Sequence, residues 1–307
     1  MAIGAVFLYF SSMRFIIDES RPAGFNMAAD LYLLELCAAR HTVTVRLYSW
    51  ARPSVTLGYM QSASAELDLD ILRTRGVDWV RRPTGGRAVL HHGDITYSCT
   101  FPKSAAVMGR GITETYRLIT QCLMAGLDRA SVKCAAHDSD SELRGVGRTV
   151  KLPCFLAPNR NEVMVNGKKL VGSAQKRSAD AVLQHGSIPI TTDYRWLPEY
   201  LRIDEPEKIK QTELLESKSC CIDELTSGAT FDSLAKCLMN GFSSVLPFDG
   251  EVIPWSLEEE VEINKILQSD KFISRYMSDM SDVNLEGTML INMEGTPPLR
   301  GVPYPTF

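Results

Sequence analysis

Several features that define specialised classes of protein are absent from this sequence. The eight cysteines include no CxxC pair and follow no regular spacing, so we expect reduced thiols in a cytoplasmic protein and no metal site. No stretch is apolar over the length that a membrane helix needs, so no membrane association is predicted. The net charge of −4 gives no global basic field that would attract nucleic acid.

Phosphate-binding signatures are also missing. Neither GxxxxGK[ST] nor GxGxxG occurs, which excludes the P-loop and the common dinucleotide-binding loop. What remains is an ordinary globular composition, with 45% hydrophobic and 23% charged residues in a chain of 307 residues. Such a chain is long enough to bury one large α/β core.

Both ends of the chain carry segments that we expect to lie outside the folded domain. Residues 1–12 are largely apolar without a basic residue before the apolar run, which predicts an N-terminal extension rather than a signal peptide. Residues 276–307 are rich in Met, Gly and Pro and predict a poorly ordered tail. A single domain is therefore expected over residues 13–275.

Strand patterns dominate residues 42–190, and helical patterns follow them. Strands are predicted by alternation and β-rich composition at 42–50, 54–59, 77–82, 94–101 and 182–190. Helices are predicted by spacing at 25–39 (with Asn26 as its cap), 64–75, 113–127, 205–216, 231–246 and 257–276. Asn166-Gly167 between two apolar runs predicts a β-hairpin with a type I′ turn.

These elements predict an α/β (α+β) fold with a mixed, largely antiparallel central sheet flanked by helices. Its core is expected over residues 20–200, with a helical C-terminal part over residues 201–275. The hairpin is expected to make part of the central sheet antiparallel, which argues against a doubly wound parallel sheet.

A glycine-rich loop follows the strand predicted at 77–82. In Arg82-Pro83-Thr84-Gly85-Gly86-Arg87, two glycines let the backbone approach a ligand closely, and their N–H groups can cradle an oxygen atom. The flanking arginines would attract an anion. An ordinary Gly-Gly turn with solvated arginines explains the spacing equally well.

Cys154 and Lys169 are the candidate reactive groups. Cys154 follows a long polar loop near basic residues, a setting that can lower a thiol pKa, although most free cysteines are small buried apolar residues. Strand alternation places Lys168 and Lys169 on opposite sides, so one is expected to be solvated and the other to face a ligand. Two solvated lysines beside a turn are the commoner arrangement.

Two histidines lie in or near predicted strands. His185 belongs to Gln184-His185-Gly186-Ser187, and His91 follows the glycine loop. Either could act as a base or as a hydrogen-bond donor. A histidine in a strand is more often structural than catalytic, and spacing alone selects neither.

The order of these motifs carries more information than any one of them. RRPTGGRAVLH, NEVMVNGKKLVGSAQKR and LQHGSI, preceded by NMAAD, RLYSW and LGYMQ, resemble the lipoate branch of the biotin/lipoate protein ligase superfamily over about residues 20–275. The resemblance implies a catalytic domain related to the class II synthetases and biotin protein ligases. Arg87 in place of a third loop glycine, together with the pair Cys154-Phe155, resembles the cysteine-dependent octanoyltransferases of that branch.

This resemblance implies an acyltransferase that uses no cofactor or metal. An octanoyl (or lipoyl) group would pass from acyl carrier protein to Cys154, and then to a lysine of a lipoyl-carrying protein. The glycine-cleavage H protein or a 2-oxoacid dehydrogenase lipoyl domain would be the acceptor. Lys169 would stabilise the thiolate and the oxyanions, and a monomeric enzyme is expected.

The same resemblance assigns a substrate-binding set. The glycine loop would line the acyl carbonyl, and a small-residue run would form the wall of a tunnel for the chain. Those residues are Arg82, Thr84, Gly85, Gly86, Arg87, His91, Gly172, Ser173, Ala174, His185 and Gly186. Because acyl carrier protein is acidic, a basic rim is expected from Arg81, Arg82, Arg87, Lys176 and Arg177.

Three alternatives stay open at this point. An ATP-dependent lipoate–protein ligase would use the same fold and the same lysine, although Arg87 and Cys154 count against it. An amidotransferase would move octanoyl from one lipoyl domain to another. A non-catalytic protein that binds lipoyl domains would need neither Cys154 nor Lys169.

Overall fold

A computed structural model describes residues 12–105, 111–136 and 162–278 of the chain. Within these ranges the strands are β1 Ser12–Arg21, β2 Val43–Trp50, β3 Ser54–Leu57, β4 Asp78–Arg81, β5 Val89–His91, β6 Asp94–Pro102, β7 Ala135–Ala136, β8 Val163–Val165, β9 Lys168–Lys169, β10 Gly172–Arg177, β11 Ala181–Pro189 and β12 Asp249–Val252. The α-helices there are α1 Ala23–Arg40, α2 Ala63–Glu66, α3 Leu69–Arg75, α4 Ile112–Arg129, α5 Glu205–Lys218, α6 Phe231–Val245, α7 Leu257–Leu267 and α8 Asp270–Phe272. Short 3₁₀ segments (Thr192–Tyr200, Ile222–Glu224) and a π-helical turn (Ile273–Met277) complete these elements.

A six-stranded mixed sheet organises the fold, in the order β10-β11-β6-β2-β1-β12. The pairs on the β10 side, from β10 through to β2, are antiparallel, whereas β1 pairs in parallel with β2 and with β12. The predicted fold class, with its mixed and largely antiparallel sheet, is therefore confirmed.

Alternation along β2 separates the two faces of this sheet. Val43, Val45 and Leu47 join the main apolar core, which includes residues of α4 and α6. The intervening Arg46 contacts α1 on the opposite face. One face is thus a conventional core, and the other carries buried polar groups beneath α1.

The predicted hairpin is present but lies in a different sheet. Asn166 and Gly167 take the positive φ angles of 49° and 78° that a type I′ turn requires. The hairpin strands β8 and β9 pair with each other, and β8 also pairs with β7, in a separate three-stranded sheet. The expectation that this hairpin makes the central sheet antiparallel is therefore wrong, because other strands do so.

Other local predictions need correction. Asn26 lies inside α1, where its side chain bonds backbone carbonyls, and Pro22 occupies the cap position. The helix predicted at 64–75 divides in two, because Leu67 bridges to Leu201 and Asp68 caps α3. The C-terminal part is not entirely helical, since its strand β12 extends the sheet beside β1.

The domain limits at residues 13 and 275 stay a prediction. Cys154 and the predicted tail from residue 279 onward lie outside the described residues, as do residues 1–11. Among the helices that the structure describes, none combines the length and the apolar character that crossing a membrane requires.

Candidate active site

A cavity lies between α1, the three-stranded sheet β4-β3-β5 and one face of the central sheet. The lining residues that sequence analysis had singled out are Arg82, His91, Gly172, Ser173, Ala174, His185 and Gly186. The remaining lining residues are Met27, Tyr48, Trp50, Thr56, Val89, Thr96 and Ser187. The structure thus brings together three motifs that are far apart in sequence.

Close packing of β10 on β11 forms one wall of the cavity. Ser173 pairs with Gly186 and Ala174 pairs with His185 in the antiparallel register. A Cβ atom on Gly186 would lie 2.4 Å from the carbonyl oxygen of Gly172. Only glycine fits at position 186 without moving the backbone of β10.

His185 is held at both ring nitrogens. Its Nδ1 lies 2.7 Å from Oδ2 of Asp30 on α1, and its Nε2 lies 2.7 Å from Oγ1 of Thr84 in the glycine loop. A carboxylate can only accept, so Nδ1 carries the proton, and in the neutral ring Nε2 accepts from the Thr84 hydroxyl. This Asp30–His185–Thr84 chain fixes the ring that faces the cavity.

Arg46 supplies the charge that balances the buried carboxylates behind this chain. Its guanidinium is fully buried, lies 3.5 Å from Asp30 Oδ1 and donates to Asp18 Oδ2 at 2.7 Å and 3.0 Å. Burial raises the pKa of the Asp18 carboxyl, but Arg46 and Trp255 outweigh that effect and hold this pKa below its usual 3.8. Asp18 is therefore ionised at neutral pH.

His91 is held in a second chain of the same composition. Its Nδ1 lies 2.9 Å from Asp94 Oδ2, and its Nε2 lies 3.0 Å from Thr56 Oγ1. Asp94 also accepts hydrogen bonds from Thr96 and Ser187 at 2.9 Å and 2.6 Å. The Trp50 ring stacks on His91, with 4.1 Å between ring centroids.

Arg82 holds the glycine loop in place rather than facing solvent. It is 5% exposed and donates to the Gly85 carbonyl at 2.8 Å and 3.2 Å and to the Arg87 carbonyl at 2.8 Å. Arg81 is also buried and donates to the Arg275 carbonyl. The prediction that Arg81 and Arg82 form a basic rim is wrong, because both guanidinium groups bond backbone carbonyls.

The other loop residues lie beside the cavity without lining it. Thr84 is buried, Gly85 and Gly86 are exposed, and Arg87 is half-buried. Gly86 has a φ of 100°, which favours glycine. The loop glycines therefore present backbone to solvent at the side of the cavity.

The two candidate reactive groups are not part of this lining. Lys169 is 3% exposed, and its Nζ lies 2.5 Å from Glu162 Oε1, while Lys168 bonds a carbonyl of α5. One of these lysines was expected to face a ligand. Instead, the buried ammonium of Lys169 pairs with the carboxylate of Glu162. Cys154 lies outside the described residues.

Sequence reasoning missed Asp30, Arg46, Thr56 and Asp94 as site residues. Asp30 and Arg46 occur in motifs that carried the resemblance, but no role was given to them. A usable signal was present, because Asp30 falls within the apolar helix and Arg46 within an alternating strand. A charge at such a position must find a partner when it is buried.

Comparison with known proteins places this fold and cavity in a family. The sequence model of the lipoyl protein ligase A/B catalytic domain matches residues 22–243, so the chain belongs to this family. The octanoyltransferase LipM of Bacillus anthracis is 34% identical, over 82% of this chain and 92% of that protein. LipM of Geobacillus kaustophilus is 33% identical, over 87% and 96%.

Solved structures share the fold at lower identity. A bipartite lipoate protein ligase from Thermoplasma acidophilum superposes with a TM-score of 0.71 and 21% identity, over 91% of this chain and 100% of that one. A lipoate-protein ligase A bound with ATP gives a TM-score of 0.68 and 21% identity, over 85% and 98%. At this identity the likeness establishes the architecture alone.

Proposed function

We propose that this protein is an octanoyltransferase of lipoate biosynthesis that carries the octanoyl group as a thioester on Cys154. The donor is octanoyl acyl carrier protein, and the acceptor is a lysine of a lipoyl-carrying protein. The observation that carries this proposal is the similarity, at about one third identity over most of the chain, to octanoyltransferases of several bacteria.

The apolar lining of the cavity supports an acyl substrate. Met27, Trp50 and Val89 are among its walls. Burying the octanoyl chain is worth about 0.8 kcal/mol per methylene, or about 5 kcal/mol in all.

The reaction consists of two transfers that need no ATP. The Cys154 thiolate attacks the carbonyl carbon of the donor thioester, and the pantetheine sulfur leaves and takes up a proton. The acceptor lysine, as a free amine, then attacks the new thioester and forms an amide, while the bond between the acyl carbon and the Cys154 sulfur breaks and the released thiolate takes up the proton that the amine loses. The first step exchanges one thioester for another, and amide formation drives the second.

The described cysteines support the choice of Cys154 as the nucleophile. None of them lines the cavity. Burial raises the pKa of Cys37, Cys122 and Cys134 to about 12, and that of Cys220 to about 11. Such thiols hold almost no thiolate at neutral pH and are poor nucleophiles.

Lys169 is proposed to stabilise the thiolate and the oxyanion of each tetrahedral intermediate. Glu162 compensates its ammonium in a buried position, which keeps a cation three residues from the cavity wall at Gly172. Removing one donor of this kind typically costs about 3 kcal/mol in the activation free energy. The enzyme is proposed to act as a cytoplasmic monomer without a cofactor.

Mass spectrometry of the acylated protein tests the proposal. Incubation with octanoyl acyl carrier protein, without ATP, should add one octanoyl group that hydroxylamine removes. Cys154→Ala should abolish the adduct, whereas the matched change Cys237→Ala, at a half-buried thiol on α6, should leave it. Transfer that requires ATP and free octanoate, or an adduct that survives Cys154→Ala, would reject it.

A further inference from the structure

Two cations lie against one tyrosine beside the glycine loop, and an exposed methionine follows that tyrosine in the sequence. Met60 is 87% exposed. Lys176 Nζ lies 5.0 Å from the centroid of the Tyr59 ring, and the Arg275 guanidinium carbon lies 4.1 Å from the same centroid. Tyr59, Met60, Lys176 and Arg275 are together called the Tyr59 surface.

Three contacts place the Tyr59 surface next to the cavity. The Tyr59 N–H donates to the Thr84 carbonyl at 2.8 Å. A Cβ atom on Gly58 would lie 2.0 Å from the Gly86 carbonyl oxygen, so the two loops touch. Lys176 belongs to β10, whose residues Gly172 to Ala174 line the cavity. A macromolecule on this surface would therefore sit beside the route to the acyl site.

The cations of this surface contact an aromatic ring, unlike the lysines that pair with carboxylates along α5 and α7. Lys208, Lys210 and Lys265 each pair with a glutamate three residues earlier on the same helix. Within residues 12–105, 111–136 and 162–278, neither Lys176 nor Arg275 forms an ion pair with a carboxylate. Two positive charges without a carboxylate partner among the described residues thus lie close together, on a chain whose net charge is −4.

The Tyr59 surface does not include every residue that was expected at a basic rim. Arg177 points away, toward Thr115 and Gln175, as alternation along β10 requires. Arg275 was not predicted at all, and the turn Ile273–Met277 brings it to Tyr59. An apolar centre with charges around it is the usual composition of a specific interface.

We infer that the Tyr59 surface docks the acidic donor, acyl carrier protein, with Met60 at the centre and Lys176 and Arg275 steering association. The inference rests on the proposed function and adds the partner's binding surface to it. Charge complementarity selects an acidic protein, and proximity to the cavity lets the pantetheine arm deliver its thioester. Steering of this kind raises association rates and weakens as salt increases.

A comparison of two donors tests the inference. The rate of acyl-enzyme formation is measured with octanoyl acyl carrier protein and with octanoyl-pantetheine, which has no protein part. The double variant Lys176→Glu/Arg275→Glu should lower kcat/KM for the carrier-bound donor by about tenfold or more at low salt. The same variant should change the rate with octanoyl-pantetheine by less than about twofold and should lose most of the salt dependence.

Matched variants sharpen the result. Lys236→Glu makes the same charge change at an exposed position of α6 and should leave both donors unaffected. Met60→Ser should reduce only the reaction with the carrier-bound donor. Equal losses with both donors, or slowing confined to transfer onto the lipoyl domain, would overturn the inference. A wild-type protein that accepts octanoyl from neither donor would instead reject the proposed function itself.

Discussion

Two chains of the same three residue types each hold a histidine that lines one cavity, yet their surroundings differ. Asp30–His185–Thr84 and Asp94–His91–Thr56 each hold a histidine by a carboxylate at Nδ1 and a threonine hydroxyl at Nε2. In the first chain an arginine, Arg46, lies at the carboxylate end. In the second an arginine, Arg82, contacts the threonine end, where it bonds the Thr56 hydroxyl at 3.4 Å.

The difference shows how each carboxylate is stabilised. Asp30 shares the Arg46 cation with Asp18, which also pairs with the partly exposed Arg21. Asp94 accepts from two neutral hydroxyl groups and from His91, and no described arginine or lysine lies within ion-pair distance of it. The partners of Asp30 therefore include a permanent cation beside His185 and Tyr48, whereas the described partners of Asp94 are His91 and two hydroxyl groups.

Removing Arg46 should have the largest effect on stability. Arg46→Met leaves the buried Asp30 without its cation and Asp18 with only the partly exposed Arg21, and breaking a buried pair in this way costs about 3–5 kcal/mol. Urea denaturation measures the free energy of unfolding. Arg73→Met, at an exposed ion pair with Asp70, should cost no more than about 1 kcal/mol. Similar losses in the two variants would contradict the dependence on Arg46.

Protonation of Asp18, which shares Arg46 with Asp30, should make the free energy of unfolding fall at low pH. Because its pKa is lower in the folded state than in the unfolded state, its contribution is complete well above pH 3.8 and is lost as the pH falls through the folded value. Asp18→Asn should lower the unfolding free energy by about 1.5–3 kcal/mol at pH 7. The wild-type and variant curves should converge in acid, whereas Asp70→Asn should follow the wild type throughout. Parallel curves for Asp18→Asn would reject this assignment.

Asp94→Ala should cost about 1–3 kcal/mol, because it leaves buried donors on His91, Thr96 and Ser187 without an acceptor. Asp94→Asn keeps one acceptor oxygen and should recover part of the loss. Thermal unfolding of the two variants provides the measurement. A loss as large as that of Arg46→Met would show that Asp94 contributes as much as the buried cation.

Much of the architecture could be predicted because its signals are local. The Asn166-Gly167 turn and the helices at α4, α5 and α6 follow from turn chemistry and apolar spacing. β12 could not be predicted, because its four residues are exposed and show no alternation, and its pairing with β1 crosses more than 200 residues. Long-range pairing of this kind leaves no mark in a local window.

The site was predictable only in part for the same reason. His185, His91 and the small residues of β10 and β11 stand in recognisable motifs, and the structure places them around one cavity. Asp30 comes from α1, 155 residues before His185, so spacing could not match the two, whereas Asp94 follows His91 by three residues and its pairing was open to a local interpretation. Strand alternation could not predict the ion pair between Lys169 and Glu162 either. Alternation indicates which side of the sheet a residue faces, but it does not identify the residue's partner.

The smallest expected effects test whether the two histidines are equally held at Nε2. Thr84→Val and Thr56→Val each remove one hydroxyl while preserving shape, and each should cost about 1 kcal/mol of unfolding free energy. Thr56→Val should be the costlier change, because the Thr56 hydroxyl also accepts from Arg82. Thr→Ser at either position keeps the hydroxyl and should cost less than the valine substitution. If Thr84→Val proved costlier, the shorter bond to His185, 2.7 Å against 3.0 Å, would outweigh the second donor at Thr56.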